Sequence, residues 1–330
     1  MDVADVLRMC RRSRFKEGEP MRTLIYYFTG TGNSLAVARD LAGRMDAELV
    51  SIVGGDCLSP LRAEADRIGF VFPVYHQGPP VAVARFVARL EELGKKSIFV
   101  IYTYGDSPGI ALERFAKTIA DAGGRLSGGL GVRMPYNYIM QGSSVANYYK
   151  AFILRETSLA DQKELFWIWE HQRETILQEL EDGEGGSMET DGKDSRDLFL
   201  RLDLRYLVQK SLWLKRAGYE GEKPETFDEG IALMDHGFWS DEKCTGCGTC
   251  SRVCPVGNIS MVRAKPVWNH QCEQCFACLH WCPQEALQFG EATEGRSRYH
   301  HPDVTILDIL SRLQLAEVEL GIGEGGGADI

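Results

Sequence analysis

Ten cysteines occur in this chain of 330 residues, and eight of them form two copies of one spacing. Each cysteine of the second copy lies 28 residues after its counterpart, so the pattern is an internal duplication. Clustered thiolates in a reducing compartment usually bind metal. The first copy is Cys244, Cys247, Cys250 and Cys254, followed by Pro255, and the second is Cys272, Cys275, Cys278 and Cys282, followed by Pro283.

Disulfides and structural zinc are the alternative uses of these cysteines. The N-terminus lacks the layout of a secretory signal, and no run of about 18 apolar residues suggests a membrane span. We therefore expect a cytoplasmic protein, in which disulfides are rare. Zinc sites normally use two cysteine pairs per ion, which leaves three evenly spaced cysteines and a distant Cys-Pro unexplained. Cys10 and Cys57 lie outside the pattern and are expected to be free thiols.

The spacing C-x2-C-x2-C-x3-C-P is that of bacterial ferredoxins with two [4Fe–4S] clusters. In such proteins the fourth cysteine of each copy ligates the other cluster. The pattern therefore predicts two [4Fe–4S] clusters, one held by Cys244, Cys247, Cys250 and Cys282, and the other by Cys272, Cys275, Cys278 and Cys254.

Composition and charge restrict the class of partner. The content of 44% hydrophobic and 25% charged residues is ordinary for a soluble globular protein. The formal net charge of -10 argues against nucleic acid and anionic membranes as partners. It favours a redox partner protein with a basic docking patch, and a small-molecule electron acceptor is a further candidate.

A strand, a glycine-rich loop and a helix follow one another from Met21 onward. The apolar run 22–28 predicts a strand, and 35–45 predicts a helix. The loop between them offers backbone N–H groups, hydroxyls and a positive helix end to an anion. It lacks both the G-x-G-x-x-G pattern and the lysine of a P-loop, so it suits a terminal monophosphate; a tight turn without a ligand is the alternative. Its members are Thr29, Gly30, Thr31, Gly32, Asn33 and Ser34.

Strands and helices continue to alternate, which predicts a doubly wound parallel sheet. In such sheets the ligand lies outside the carboxyl ends of the strands. The loops there carry glycines and aromatic rings, which together with the phosphate loop could enclose the flat ring of FMN; surface aromatics are the alternative for Tyr75 and Tyr104. We expect strands at 48–52, 67–73, 97–103 and 129–134, helices at 79–93 and 108–122, and flavin contacts from Pro73, Tyr75, Thr103, Tyr104 and Gly105.

Two stretches of the chain resemble a known family. Residues 22–134 resemble a flavodoxin domain, chiefly in the phosphate loop. The stretch Met-Pro-Tyr-Asn-Tyr at 134–138, with the duplicated cysteines and Arg-Tyr-His-His-Pro at 298–302, resembles flavodoxin–ferredoxin fusion proteins. The resemblance covers about residues 22–145 and 235–305. It implies FMN as a cofactor, and it places Pro135, Asn137 and Tyr138 near the flavin.

The predicted fold is α/β plus α+β: a flavodoxin-like sheet, a helical connector and a small bacterial 2[4Fe–4S] ferredoxin-like domain. Helices are expected at 143–180, 195–217 and 305–320. Their aromatic residues are expected to pack the connector, with a lid over the flavin as the alternative. The predicted domains are an N-terminal extension (1–20), a flavodoxin-like FMN-binding domain (21–145), a helical connector (146–234) with a flexible acidic glycine-rich segment (181–195), a 2[4Fe–4S] ferredoxin domain (235–292), and a C-terminal helix with a disordered tail (293–330).

The favoured function is electron transfer between two clusters and FMN, and no catalytic residue is assigned. The alternative is an FMN-dependent reductase of a small organic substrate, with His76 or residues 136–138 lining its pocket. A non-catalytic sensor is disfavoured because a second redox cofactor would be superfluous there. No second dinucleotide motif is present, so direct use of NADH is not indicated.

Overall fold

A five-stranded parallel sheet forms the N-terminal half of the protein. The computed structural model describes residues 21–53, 61–139, 157–181, 214–215, 217–222, 224–290 and 293–311. The strands of the sheet are β1 (Thr23–Tyr27), β2 (Glu48–Ser51), β4 (Arg67–Pro73), β6 (Ser97–Tyr104) and β7 (Leu126–Arg133), while β3 (Leu61–Arg62) and β5 (Leu90–Glu91) pair separately. The order β2-β1-β4-β6-β7, with every pair parallel, is the flavodoxin-like order once the short pair is set aside.

Helices cover both faces of this sheet, so its central strands are buried along their length. Strand β1 is buried at all five positions, as expected for a strand between two helical layers. Helices α1 (Asn33–Met45) and α4 (Leu159–Glu181) contribute to the core on one face. Helices α2 (Val81–Val87) and α3 (Ala111–Asp121) contribute to the core on the other face.

Helix α4 belongs to the sheet's own core. Trp169 and Leu180 are each 7% exposed and lie in one apolar cluster with Leu41 of α1. At the edge of this contact, Arg173 Nη1 donates to Asp40 Oδ2 over 3.0 Å. The buried aromatic of this helix is therefore a packing residue of the sheet.

The helix predicted over 79–93 is wrong beyond Val87. After α2 the chain turns, and strand β5 pairs with β3 in parallel. Glu92 then takes a left-handed conformation with φ of 59°, and Leu93–Lys95 form one turn of 3-10 helix. The apolar residues at 87, 90 and 93 continue a helical spacing, but non-local strand pairing overrides that local signal.

Several expected elements lie wholly or partly outside the described residues. The extension 1–20, residues 143–156, the segment after 181, most of 195–217 and residues 312–320 are in this group. Of the expected terminal helix, residues 306–311 are helical.

The duplication of the cysteine spacing is also a duplication of structure. Each element of the second copy begins 27 or 28 residues after its counterpart in the first. Helix α5 (Phe227–Leu233) leads into the first copy, which is β8 (Phe238–Ser240), α6 (Thr249–Val253) and β9 (Ile259–Val262); the second is β10 (Lys265–Trp268), α7 (Ala277–His280) and β11 (Leu287–Phe289). The copies interlock, because β8 pairs with β11 and β9 pairs with β10, both antiparallel.

Replacing Trp169 by alanine should destabilise the protein by about 3 kcal/mol, because a buried indole leaves a cavity. Trp167, in the same helix, is 58% exposed and provides a matched control. We expect Trp167→Ala to change the free energy of unfolding by no more than about 0.5 kcal/mol. Urea denaturation followed by circular dichroism measures both variants, and equal effects would contradict the packing of α4.

Candidate cofactor sites

A cavity of about 360 Å³ opens at the carboxyl ends of β1, β4 and β6. Thirteen of the fourteen residues predicted to contact FMN line it, and Gly32 is the exception. The cysteine-bearing segment also contributes to its wall. Additional lining residues that the sequence did not assign to the flavin include Gln77, Ser107, Gln274 and Phe276.

The loop before α1 retains the features of an anion site. Gly32 precedes the helix with a φ of 100°, no side chain caps the helix, and its first turn holds no acidic residue. The Gly32 N–H donates to Thr29 Oγ1 over 3.1 Å, which closes the loop. A Cβ at Gly32 would lie 3.0 Å from Val304 and 3.1 Å from His301, so this glycine packs against the C-terminal segment. The free helix end and the hydroxyls of Thr29 and Thr31 can meet a phosphate.

Two predicted phosphate contacts have structural partners of their own. Asn33 Nδ2 donates to the Pro135 carbonyl over 3.0 Å, and Asn33 Oδ1 accepts from Tyr299 Oη over 2.6 Å. Ser34 Oγ and Thr103 Oγ1 lie 2.8 Å apart and share a hydrogen bond. The Asn33 side chain therefore ties the loop to residues 135 and 299.

Aromatic side chains form a further part of the cavity wall. A Cβ at Gly105 would lie 2.6 Å from the Tyr136 ring, so the glycine lets that ring lie against the β6 loop. Burial, and then Asp106, raise the pKa of Tyr136, which keeps its hydroxyl protonated. Burial, and then Arg114, lower the pKa of His76 to about 3, so its ring is neutral at neutral pH.

The outer cysteine group consists of Cys244, Cys247, Cys250 and Cys282, which surround a cavity of about 20 Å³. Its Cys247 is exposed. Burial, followed by the charges of the other three cysteines, raises the pKa of Cys250 to about 11. A bound metal centre would offset this repulsion and favour the thiolate form of all four cysteines.

The inner cysteine group consists of Cys254, Cys272, Cys275 and Cys278. Burial raises the pKa of Cys278, and the nearby Cys275 and Cys254 raise it further. Burial is also the main cause of the raised pKa of Cys272. Backbone N–H groups donate to two of these sulfurs, Asn258 to Cys254 Sγ and Gln274 to Cys272 Sγ, each over 3.2 Å. Cys254 therefore lies near Cys278 of the second copy, and Cys282 lies with the first three cysteines of the first copy.

The inner group lies directly against the phosphate loop. A Cβ at Gly30 would lie 3.0 Å from the Cys275 carbonyl oxygen and 2.8 Å from Tyr75 Oη. Trp281 Nε1 donates to the Gly30 carbonyl over 2.9 Å, and this bond is buried. Asn137 Nδ2 donates to the Cys275 carbonyl over 3.2 Å. These contacts join the metal-binding segment to the loop that starts α1.

Two further side chains fasten the same junction. The Glu273 carboxylate accepts from the backbone N–H groups of Val81 (2.8 Å) and Ala82 (2.7 Å), which start α2. Burial raises the pKa of Glu273 to about 7, against the lowering effect of those two bonds. His280 Nε2 lies 2.6 Å from the Asn137 carbonyl, and His280 Nδ1 accepts from the Tyr299 N–H over 3.0 Å, which sets a neutral tautomer with the proton on Nε2.

The residues that sequence reasoning missed belong to this junction. The sequence assigns no role to Glu273, His280 or Trp281. Each bonds a residue of the flavodoxin-like half that lies more than 100 positions away in the chain, so no local pattern indicates these contacts.

The donor sets fit the cofactors that the sequence predicts. Two groups of four cysteine sulfurs suit [4Fe–4S] clusters. The larger cavity combines a helix end, hydroxyls and aromatic walls, which suits a ring carrying a phosphate. Its volume lies within the usual range for small-molecule sites.

Comparison with known proteins supports this architecture. Residues 238–260 match the 4Fe-4S binding domain family. The chain thus joins a flavodoxin-like sheet to a segment that binds at least one 4Fe–4S cluster, the arrangement of a flavodoxin–ferredoxin fusion. No curated protein matches the sequence. Among the described residues, no helix is long and apolar enough to cross a membrane.

Solved structures similar to the chain include several flavoproteins. A Bacteroides uniformis protein described as a flavoprotein is 17% identical, with a TM-score of 0.30 over 40% of this chain and 99% of its own. The two-electron reduced flavodoxin of Megasphaera elsdenii is 22% identical, with a TM-score of 0.28 over 35% of this chain and 90% of its own. Rubredoxin oxygen:oxidoreductase from Desulfovibrio gigas is 14% identical, with a TM-score of 0.30 over 50% of this chain but only 37% of its own.

Replacing Glu273 by alanine should lower the free energy of unfolding by about 1–2 kcal/mol, since the first two N–H groups of α2 lose their acceptor. Glu242, close to Cys244 in the first copy, is exposed. Glu242→Ala is therefore the control, and we expect no change in its free energy of unfolding. Chemical denaturation of the two proteins, each with its iron content verified, makes the comparison. Equal stability of both variants would show that the Glu273 cap does not fasten the junction.

Proposed function

We propose that the protein transfers electrons between two [4Fe–4S] clusters and an FMN. The outer and inner cysteine groups would each hold one cluster, and the cavity of about 360 Å³ would hold the flavin. Each cluster exchanges one electron at a time, whereas FMN exchanges one or two. The protein's part is to fix the positions of these groups and to exclude water between them.

One observation carries the proposal: the loop that supplies the inner cysteines is itself a wall of the flavin cavity. Gln274 and Phe276, which flank Cys275, line that cavity together with the phosphate loop. The close contact of Gly30 with Cys275 leaves no room for water between the two. A cluster on the inner group would therefore adjoin a flavin in the cavity.

The exposure of the two cysteine groups supports an order for the relay. Cys247 of the outer group is exposed, whereas Cys275 and Cys278 of the inner group are buried. We propose that a partner exchanges electrons at the outer group, and that the inner group connects the outer group to the flavin. The net charge of -10 supports a partner with a basic docking patch.

A reductase acting on a small organic substrate is the second candidate. A second cavity of about 260 Å³ shares Tyr75 and His76 with the flavin cavity. Its lining combines two basic residues with three acidic ones, so its charge does not select one class of substrate; they are Arg114, Lys117, Asp121, Asp228 and Glu273. This candidate uses the same relay and differs only in where the electrons leave the flavin.

Replacing Gly30 by valine should abolish FMN binding and leave about eight iron atoms per chain. The added side chain would collide with the Cys275 backbone and the Tyr75 hydroxyl. Gly43 has no atom within 4 Å of its Cβ position, so Gly43→Val is the control that should keep FMN. Flavin fluorescence after protein denaturation, with iron and sulfide analysis, measures both cofactors. Full FMN retention by Gly30→Val would show that the flavin site is misplaced.

Rapid mixing with a one-electron donor tests the relay itself. In the native protein we expect absorbance of the clusters to bleach first and that of the flavin to follow. Cys247→Ala should remove about four iron atoms and slow the reduction of the flavin. Cys57, outside the duplicated spacing, provides the control Cys57→Ala with unchanged rates.

Two results would overturn parts of this proposal. If electrons do not pass from the clusters to FMN in the native protein, both candidate functions fail. If Cys247→Ala reduces its flavin as fast as the native protein does, the outer group is not the entry point. Adding small organic acceptors, both anionic and neutral, after flavin reduction separates the candidates, because only a reductase would transfer electrons from the flavin to the acceptor.

A further inference from the structure

The two copies of the cysteine motif share three left-handed backbone positions at which the first copy has glycine and the second has a residue with a side chain. One of these pairs is Gly257 with φ of 64° and Glu285 with φ of 48°, and the other two flank the second cysteine of each copy. In the first copy, Gly246 and Gly248 both have φ of 72°. Their counterparts, 28 residues later, are Gln274 with φ of 53° and Phe276 with φ of 57°. Glycine adopts this left-handed region without steric cost, whereas a residue with a Cβ is strained there. The second copy therefore keeps the left-handed turns but places large side chains on them.

Both side chains point to the same place. Gln274 is 6% exposed and Phe276 is 2% exposed. Both line the cavity of about 360 Å³, and the phosphate loop forms another part of its wall. The Phe276 ring meets Tyr138 edge-to-face, with ring centres 5.8 Å apart. In the first copy, glycines stand at both positions, and they flank Cys247 on the exposed side of the outer group. Of the three left-handed side chains that replace glycines, the two beside Cys275 line the cavity, whereas Glu285 is exposed and does not.

Gln274 contacts the inner cysteine group through its backbone. Its N–H donates to Cys272 Sγ over 3.2 Å. Its side-chain Nε2 is buried and has no hydrogen-bond partner among the described residues. A buried amide donor without an acceptor is unfavourable, and a ligand atom in the cavity would satisfy it.

We propose that Gln274 is a flavin-binding residue, whose side-chain amide donates to an acceptor atom of the FMN ring while its backbone N–H bonds a sulfur of the inner group. Phe276 supplies an apolar wall next to it. This inference rests on the proposed function and deepens it, because one residue would then contact both cofactors. It also gives the left-handed Gln274 a function that the exposed, left-handed Glu285 lacks.

The first test restores the residue of the other copy. Glycine adopts the left-handed backbone of position 274 without steric cost. Gln274→Gly should therefore relieve backbone strain while it removes the side-chain amide. We expect the variant to bind FMN about tenfold more weakly, the effect of one buried hydrogen bond. Glu285 also has a positive φ, of 48°, is exposed and does not line the cavity, so Glu285→Gly is the matched control with unchanged affinity. Recovery of FMN fluorescence on dilution of the full-length holoprotein gives the dissociation constants.

The second test keeps the shape and changes the chemistry. Gln274→Glu replaces the donor by a carboxylate, which should weaken FMN binding and lower the flavin's midpoint potential, because added negative charge disfavours the reduced ring. Iron and sulfide contents should stay at the native value in every variant. The lowered potential would show that side chain 274 lies beside the flavin ring, and the weaker binding of Gln274→Gly would show that the native amide bonds it.

The outcomes separate this inference from the proposed function. Native protein that binds no FMN defeats the proposed function, and the inference with it. If native protein binds FMN and Gly30→Val loses it, but both Gln274 variants keep the native dissociation constant and potential, only the inference is overturned. Weaker binding in Gln274→Gly, a lowered potential in Gln274→Glu and no effect in Glu285→Gly support it.

Discussion

The missing side chain at Gly30 determines how closely the two halves of the protein approach each other. Its backbone lies against the Cys275 carbonyl, and its own carbonyl accepts a buried hydrogen bond from Trp281. Any larger residue would separate the start of α1 from the inner cysteine group. The cavity depends on this approach, because its walls come from both sides of the contact. Val253, Ala277 and Trp281 share an apolar core with α1, so the contact is continuous with the interior of the protein.

Much of the fold follows from patterns that are local in sequence. The cysteine spacing, the glycine and hydroxyl loop and the alternation of strands with helices each act over a few residues. These signals predict the sheet that the structure contains. Most of the flavin contacts predicted from them line one cavity. They failed where a distant partner decides the outcome: the helix expected to continue through residue 93 ends at Val87 because β5 pairs with β3.

The roles of individual side chains were harder to predict than their positions. Asn33 was expected to meet a phosphate, yet its amide is bonded to Pro135 and Tyr299. The stretch 298–302 contributed to the family resemblance, but no contact was predicted for its residues. The structure gives its residues contacts: Tyr299 bonds Asn33, His300 stacks on Trp281 at 4.4 Å, and the His301 N–H bonds the Thr31 carbonyl. Such roles arise from tertiary contacts that no local pattern encodes.

The interlocked pairing of the two copies also determines how the cysteine segment is tethered. Since β8 and β11 are antiparallel neighbours, the chain enters and leaves the segment at the same side. Beyond it, Val304 and Ile309 are buried in the core that α1 shares. The segment is therefore held both by its direct contacts with the Gly30 loop and by the residues that follow it, unlike a domain joined only by a flexible linker. Electrons crossing this junction would need no diffusional encounter, so the crossing rate would be independent of protein concentration.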